Sequence, residues 1–534
     1  MSRMLSPVAG GLSQLGLNRR FARIVTVVSA VSVTLLLLSW SRQDPDSQPG
    51  WPPALLIGKA RQQGPPAFYP FETTSAFFPV AYDDVNNKTT EELCASFPHH
   101  LTQRIQPVLK MGHGENPKMI DAQFRSVSAC FGIDELLIFS DLQQVVHGRN
   151  VIDILANLPQ AYRDNDAEGN PNTNFANYEK LTELSRANKL TVDNDPARGK
   201  NGWRLDKYKF LAEVERAWQM RPGRDFYVFY ESDTYVSWDN MFRFLSTLDP
   251  SAPWYMGSPS PGRRDEKKKV DTWFANGGPG FVLSRGAMEK LFARRTSPDG
   301  HFIDPPFAIK WHELVRDDPC GDSVLGWALW KAGVPLSGFF PLFNTYAAHT
   351  IPFTDRMWCQ PFLTMHKLKV EHMEAFWRWE SRTRKLGRPL LYSDVFELLS
   401  PAKPDVRHDW ENPVWDRLAH GRDTYVETLE ACRQACQDSD SCLQYHWQGK
   451  DTKKCVLMPY ITLGSGKAPE TNEKKVPDQQ KDPKTQIEGE EQFRVVKEDL
   501  TFTSGWMKSR IDRWRVDHVC GSPEWVPPSI ERHF

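Results

Sequence analysis

An uninterrupted apolar and aromatic run, Phe226-Tyr-Val-Phe-Tyr230, ends in two carboxylates one residue apart, Glu231 and Asp233. Five such residues in a row read as a short buried strand. A strand of this kind belongs in an α/β sheet, and the carboxyl edge of such a sheet is where ligands bind. Carboxylates at this spacing suit Mn²⁺ or Mg²⁺, hard cations that take oxygen ligands and share them with substrate phosphates. A solvated turn with a helix cap uses the same residues, so the pair alone does not settle the matter.

The chain around this strand alternates in the way α/β folds do, from about Phe71 to Pro401. Predicted strands are Ile105–Met111, Glu135–Ser140, Phe226–Tyr230 and Gly280–Leu283. Predicted helices are Asp206–Gln219, Trp238–Thr247, Arg285–Arg294 and Asp322–Ala332. The polar stretch Arg163–Lys200 reads as an insertion. A cysteine-rich region follows, 402–525, and within it 464–492 is charged, contains proline and is poor in apolar residues, so it is expected to be a disordered loop.

The N-terminus indicates a compartment. Ile24 to Ser41 carries no charge, which is about the minimum length for spanning a hydrocarbon core. Arg19, Arg20 and Arg23 precede it, so the positive-inside rule leaves residues 1–23 in the cytosol and the remainder in a lumen. A cleaved signal peptide is the competing reading, but no small-x-small site follows the run. Residues 42–70 are rich in Pro, Gly, Gln and Ser and read as a stem. The nine cysteines include no C-x-x-C pair, which in a lumen indicates disulfides rather than zinc, and their odd number leaves at least one thiol over. Asn87-Lys-Thr89 is a glycosylation sequon. With 66 basic and 67 acidic residues the overall balance implies no nucleic-acid partner. Oligomeric state is not legible.

Four segments then occur in order: Leu137-Ile-Phe-Ser-Asp141, Glu231-Ser-Asp233-Thr-Tyr-Val236, Asn276-Gly-Gly-Pro-Gly280-Phe-Val-Leu-Ser284, and Cys320-Gly-Asp322-Ser-Val-Leu-Gly326. Together they resemble the Fringe-like branch of the inverting β-1,3-glycosyltransferases, glycosyltransferase family 31, and their wording is most similar to the fungal members. The resemblance implies a GT-A-like (Rossmann-like) α/β domain over 71–401. It implies a type II Golgi membrane enzyme that moves galactose or N-acetylglucosamine from a UDP-sugar to a hydroxyl of a glycan or glycoprotein. It makes Glu231-Ser-Asp233 the DxD motif, with Asp233 on the metal and Glu231 in place of the commoner Asp. It makes Gly277 and Gly278 shapers of the donor cleft, Asp141 an acid near the nucleotide, and His366 a further metal ligand, with His349 and His372 as competitors. Asp322 becomes the base that takes the acceptor's proton. A carboxylate at a helix start is also a routine N-cap, and Asp317 and Asp318 lie close by. In this domain Cys94–Cys130 and Cys320–Cys359 are the expected pairs, the second bracing the loops of the base and the histidine.

The cysteine-rich region, Cys432-x₃-Cys436-x₅-Cys442-x₁₂-Cys455, resembles a PAN/apple module, a small disulfide-rich α+β domain in which a helix is stapled to a sheet. By that resemblance Cys432 pairs with Cys455 and Cys436 with Cys442. Two rival functions remain. One is a non-catalytic lumenal carbohydrate-binding protein derived from a transferase. The other is a hydrolase using Asp322 with a second carboxylate.

Overall fold

The structure, a computed structural model, describes residues 75–165, 169, 171–399, 405–413, 424–477, 493–521 and 525–531. The expected membrane span and stem lie outside these residues. Among the described residues no helix is long and apolar enough to cross a membrane.

The centre is a seven-stranded mixed sheet built from β1 (Ile105–Lys110), β2 (Leu137–Ser140), β3 (Gln144–Val146), β4 (Arg149–Asp153), β5 (Phe226–Glu231), β7 (Tyr255–Gly257) and β10 (Phe281–Ser284). Its order is β3-β4-β2-β1-β5-β10-β7. Strands β4, β2, β1 and β5 run parallel, and β10 runs antiparallel between β5 and β7. The unbroken apolar run of β5 follows from its place in the sheet. Phe226, Val228 and Tyr230 enter one core, whereas Tyr227 and Phe229 enter another on the opposite face. A strand covered on both faces has no polar side to display. The antiparallel β10 starts at the edge where β5 ends, with Phe281 opposite Phe229. That register brings the Gly277–Gly280 turn beside the acids that follow β5.

Three further elements frame the edge. β6 (Tyr235–Val236), β11 (Phe343–Asn344) and β12 (Thr364–Met365) form a small sheet that carries the chain from Thr364 to His366 back beside Asp233. β8 (Pro259–Asp265) and β9 (Val270–Ala275) form a hairpin whose second strand leads directly into the glycine turn. Helix α1 (Lys200–Asp206) leads to α2 (Lys209–Met220), and α2 and α3 (Gly321–Lys331) pack against that turn through Phe210 and Asp322. The approach of α3 needs Gly321, because a Cβ there would lie 2.3 Å from the Lys207 carbonyl oxygen. The predicted elements appear with ends shifted by one to three residues, and the polar stretch 163–200 contains a helix, Thr173–Arg186, that buries Phe175, Tyr178 and Leu181.

Toward the C-terminus, helix α4 (Leu429–Asp438) packs on a sheet that includes Gln444–Lys450, Lys454–Met458 and Phe493–Trp506. Disulfides Cys432–Cys455 and Cys436–Cys442 tie the helix to the sheet. Two expectations are corrected here. First, 464–492 is not a disordered loop throughout: Glu470–Pro477 is a strand paired with Phe493–Leu500, which satisfies its backbone hydrogen bonds. Second, Cys320 does not pair with Cys359. Cys359 bonds Cys520, and Cys320 is free. Helix α5 (Lys508–Asp517) explains the change. Its Trp514 packs edge-on against Trp358 at 4.9 Å and donates to Asp355 at 2.8 Å, while Trp358 donates to the His518 carbonyl at 2.9 Å. These contacts deliver Cys520 to Cys359. The tail continues over the sheet, with Trp525 against Phe244 at 5.3 Å and Phe339 donating to the Ser529 carbonyl at 3.3 Å. Leu443, Ile461, Leu463 and Trp506 belong to the same core cluster as β5, so the two regions share a core. The remaining disulfide joins Cys94 to Cys130.

Candidate active site

Glu231 is the last residue of β5 and Asp233 lies in the turn after it. His366 follows β12. One ligand atom from each of the three lies within 4.8 Å of the other two, and His366 Nε2 is 3.5 Å from Asp233 Oδ1. Burial, together with the neighbouring Glu231, pushes the Asp233 carboxyl up to about 7. Burial also lowers the His366 imidazole to about 4, so this ring is neutral at ordinary pH and offers a lone pair. His349 and His372 are not part of this group.

The glycine turn separates this group from Asp322. A Cβ on Gly278 would lie 2.1 Å from His366 Cε1, and one on Gly277 would lie 2.5 Å from the Phe210 ring. Only glycine lets the backbone pass at both places. Gly277 N–H donates to Asp322 Oδ2 at 2.9 Å, and Ser323 N–H to Asp322 Oδ1 at 2.9 Å. Asp322 is therefore inside α3, not its N-cap. The N-cap position is Cys320, without a side-chain cap; Asp318 before it accepts from Cys320 N–H at 2.8 Å, and Arg263 holds it at 2.6 Å. Asp317 is exposed on the preceding helix. Burial raises the Asp322 carboxyl to about 6, against the two N–H donors.

Beneath the edge lies a buried charge layer. Lys110, the last residue of β1, sits 2.5 Å from Asp206 and 2.9 Å from Glu231, above the Phe210 ring at 3.7 Å. Burial works against its ammonium, but the two carboxylates outweigh it and hold the charge on. Lys209 lies 3.1 Å from Asp141 and 3.7 Å from Asp206. Asp141 is fully buried and also accepts from His113 N–H at 2.7 Å, so it fixes the loop that follows β1. Glu115 on that loop accepts from Ser232 Oγ and from Gly112 N–H, and burial raises it to about 7. Glu213 is buried with neither oxygen hydrogen-bonded among the described residues, and burial holds it well above the carboxylate range. A cleft of about 540 Å³ opens beside this loop, lined by Met111, His113, Glu115, Pro117, Gln144 and His147 among others.

The sequence reading brought Glu231, Asp233, Gly277, Gly278, Asp322 and His366 to one place. It did not find Lys110, Glu115, Asp206, Lys209 or Glu213. The available signal was Lys209 and Glu213, spaced i, i+4 on the apolar face of α2 beside Phe210 and Val214. Asn87 is exposed and donates to Asp84 at 2.7 Å.

Residues 180–314 match the family described as Fringe-like, and residues 417–474 match the PAN domain. The Fringe glycosyltransferase of Drosophila melanogaster is 33% identical over 82 residues, covering 14% of this chain and 20% of that protein. The β-1,3-N-acetylglucosaminyltransferase lunatic fringe of Homo sapiens is 30% identical over 135 residues, 24% of this chain and 35% of that protein. Its Danio rerio counterpart is 27% identical over 124 residues, 22% and 33% respectively. The chain thus spans no more than about a third of the length of these relatives. The matched Fringe-like segment contains Asp206, Glu231, Asp233 and the glycine turn, and Asp322 and His366 lie beyond its end. The chain joins a Fringe-like domain to a C-terminal PAN domain.

Proposed function

We propose that the chain is an inverting, metal-dependent glycosyltransferase that moves galactose or N-acetylglucosamine from a UDP-sugar to a hydroxyl of a glycan or glycoprotein, forming a β-1,3 linkage. The observation that carries this reading is the Glu231–Asp233–His366 group set against Asp322 across one glycine turn. The residues fit Mn²⁺ or Mg²⁺: two carboxylates and a neutral imidazole converge, and Gly278 lets the His366 ring lie against the turn at this place. When bound, the cation neutralises the donor diphosphate and stabilises departing UDP.

The protein's own groups do the rest. The cleft beside His113 and Gln144 has the size for the nucleoside, with a mainly apolar wall and a few polar groups to orient it. Asp141 acts on it from behind, by fixing the His113 backbone. Gly277 and Gly278 let Phe210 and His366 pack against the turn and so shape the wall of the donor cleft. Asp322 takes the proton from the acceptor hydroxyl as that oxygen attacks the anomeric carbon. The bond from that carbon to the phosphate oxygen breaks, its electron pair leaves with UDP, and the configuration inverts. A base near 6 is deprotonated at neutral pH yet still basic enough to accept a proton. Lys110 holds Glu231 and Asp206 in place, and with Lys209 it keeps Asp206 charged.

UDP release from a panel of UDP-sugars, with and without Mn²⁺, tests the reading. Turnover with one donor that disappears in Asp233→Asn and with chelator supports it. No release and no UDP binding under any condition refutes it. The same reading places the chain in the Golgi membrane as a type II protein, held by Ile24–Ser41. Protease added outside sealed Golgi vesicles should then leave residues beyond 75 uncut, and their digestion would refute that topology.

A further inference from the structure

Helix α3 carries more than Asp322. Its positions 322, 323, 327, 330 and 331 are the ones left partly or fully open, and they form one stripe about 13 Å long, from nine steps of about 1.5 Å. The open residues include two half-buried tryptophans, Trp327 and Trp330. The β8–β9 hairpin lies alongside, in a fixed alignment. Its base meets the start of α3 through Gly277 and Asp322, its middle packs Phe274 against Gly326, and its far end meets Trp330 and Lys331 through Asp265. A Cβ on Gly326 would lie 2.3 Å from the Cβ of Phe274, so strand and helix cannot slide relative to each other at this point.

The far end is basic, although the whole chain is near neutral. Buried Asp265 is taken up by Trp330 Nε1 at 2.8 Å and Lys331 at 2.9 Å. Arg264 pairs with Asp271 at 2.8 Å. The tip then carries Lys267, Lys268 and Lys269 beside one acid, Glu266, which faces Arg264 at 3.9 Å. All three are exposed, and Lys268 stands over the Trp330 ring at 4.7 Å while Lys331 covers Trp327 at 4.2 Å. Among the described residues none of the three tip lysines has an acidic partner for its ammonium. Two half-buried indoles, each covered on one side by a lysine and set beside tip lysines without an acidic partner, match a ligand with apolar sugar rings and negative charge.

We propose that this stripe is an extended acceptor subsite for an anionic oligosaccharide. The hydroxyl to be modified lies at Asp322, further sugar rings stack on Trp327 and Trp330, and carboxylate or sulfate groups meet the lysines of the hairpin tip. The proposal rests on the transferase reading above and names the class of its acceptor.

Calorimetry with the full chain tests it, using two probes of equal length. One is a tetrasaccharide of alternating glucuronic acid and N-acetylglucosamine, and the other is a neutral tetrasaccharide of N-acetylglucosamine alone. The anionic probe is expected to bind more tightly, and to weaken by about an order of magnitude between about 0.05 M and about 0.5 M salt. The triple variant Lys267→Ala, Lys268→Ala, Lys269→Ala should lose a similar factor, and Trp327→Ala should weaken the same probe. Equal binding of both probes, an unchanged triple variant, or no binding of the anionic probe overturns the proposal. UDP binding with Mn²⁺ is measured on the same samples. Its retention assigns a failure to the acceptor proposal alone, whereas its absence from the unaltered chain tells against the transferase reading.

Discussion

Asp322→Asn separates the chemistry of the site from the stability of the fold. The carboxyl sits at about 6 in the folded protein against 3.8 for the free group, because burial disfavours its charged form. The folded protein therefore holds this proton more tightly than the unfolded chain does. The stability due to Asp322 is greatest below 3.8 and is lost as pH rises to about 6. A shift of about two units corresponds to about 3 kcal/mol at 1.36 kcal/mol per unit. Asn carries no charge, so the variant escapes that loss. It also gives up one acceptor, since its amide nitrogen cannot accept from Gly277 or Ser323, which costs about 1–3 kcal/mol at every pH. The constant term cancels in the difference between variant and wild type. Denaturant titrations at pH 4 and pH 7.5 should show the variant gaining about 2.4 kcal/mol on the wild type over that interval, the rest of the loss having occurred below pH 4. Turnover should fall about 10²–10⁴-fold with UDP-sugar affinity unchanged, and wild-type turnover should rise as pH passes about 6. A stability difference that is flat with pH would mean that the burial argument fails. Near-normal turnover in the variant would remove Asp322 from proton transfer.

Gly278→Ala places a methyl group where the His366 ring now sits, 2.1 Å from Cε1. Mn²⁺ affinity measured by calorimetry should fall at least tenfold while circular dichroism is unchanged, and undiminished affinity would remove His366 from the ligand set. Cys359→Ser with Cys520→Ser opens a link across 161 residues, worth up to about 5 kcal/mol in the chain-entropy account. The melting temperature should drop and limited proteolysis should first cut near 520; an unchanged melting curve would show that α5 is held by Trp514 and Trp358 alone. Glu231→Asp shortens the arm that reaches Lys110 and leaves that ammonium with Asp206 alone. Denaturation at pH 7.5 should show a loss of about 1–3 kcal/mol, and equal stability would mean that the Lys110 contact is replaceable.

Much of the site was legible because its residues lie in short, local patterns. The run of β5 announces both a buried strand and the acids at its end. The Gly277-Gly278-Pro279-Gly280 turn announces close backbone approach, which the His366 and Phe210 contacts then require. The disulfide of Cys359 was not legible in the same way. Its partner is chosen by an aromatic contact between Trp358 and Trp514, residues more than 150 positions apart, and no local spacing encodes it. The strand Glu470–Pro477 was missed for a related reason. Its composition is that of a solvated loop, and only the partner strand at 493–500 satisfies its backbone.

The buried layer under the site shows why lysines belong in what reads as an acidic centre. Glu231, Asp206, Asp141, Glu213 and Glu115 lie close together beneath the edge, and burial works to raise the carboxyls of Asp206, Glu213 and Glu115 toward neutrality. Two lysines divide the set. Lys110 and Lys209 hold Asp206 below its usual range, since their combined attraction outweighs its burial. Glu213 and Glu115, farther from full pairing, are pushed up instead. The layer is thus sorted into acids that stay charged as anchors and acids that tend to keep a proton. Glu231 stands at its upper boundary, bonded downward to Lys110 and open upward to Asp233 and His366. A glutamate rather than an aspartate at this position has the reach for both duties. The substitution that looks like a departure from the usual motif is what connects the metal-type group to the charge layer that supports it.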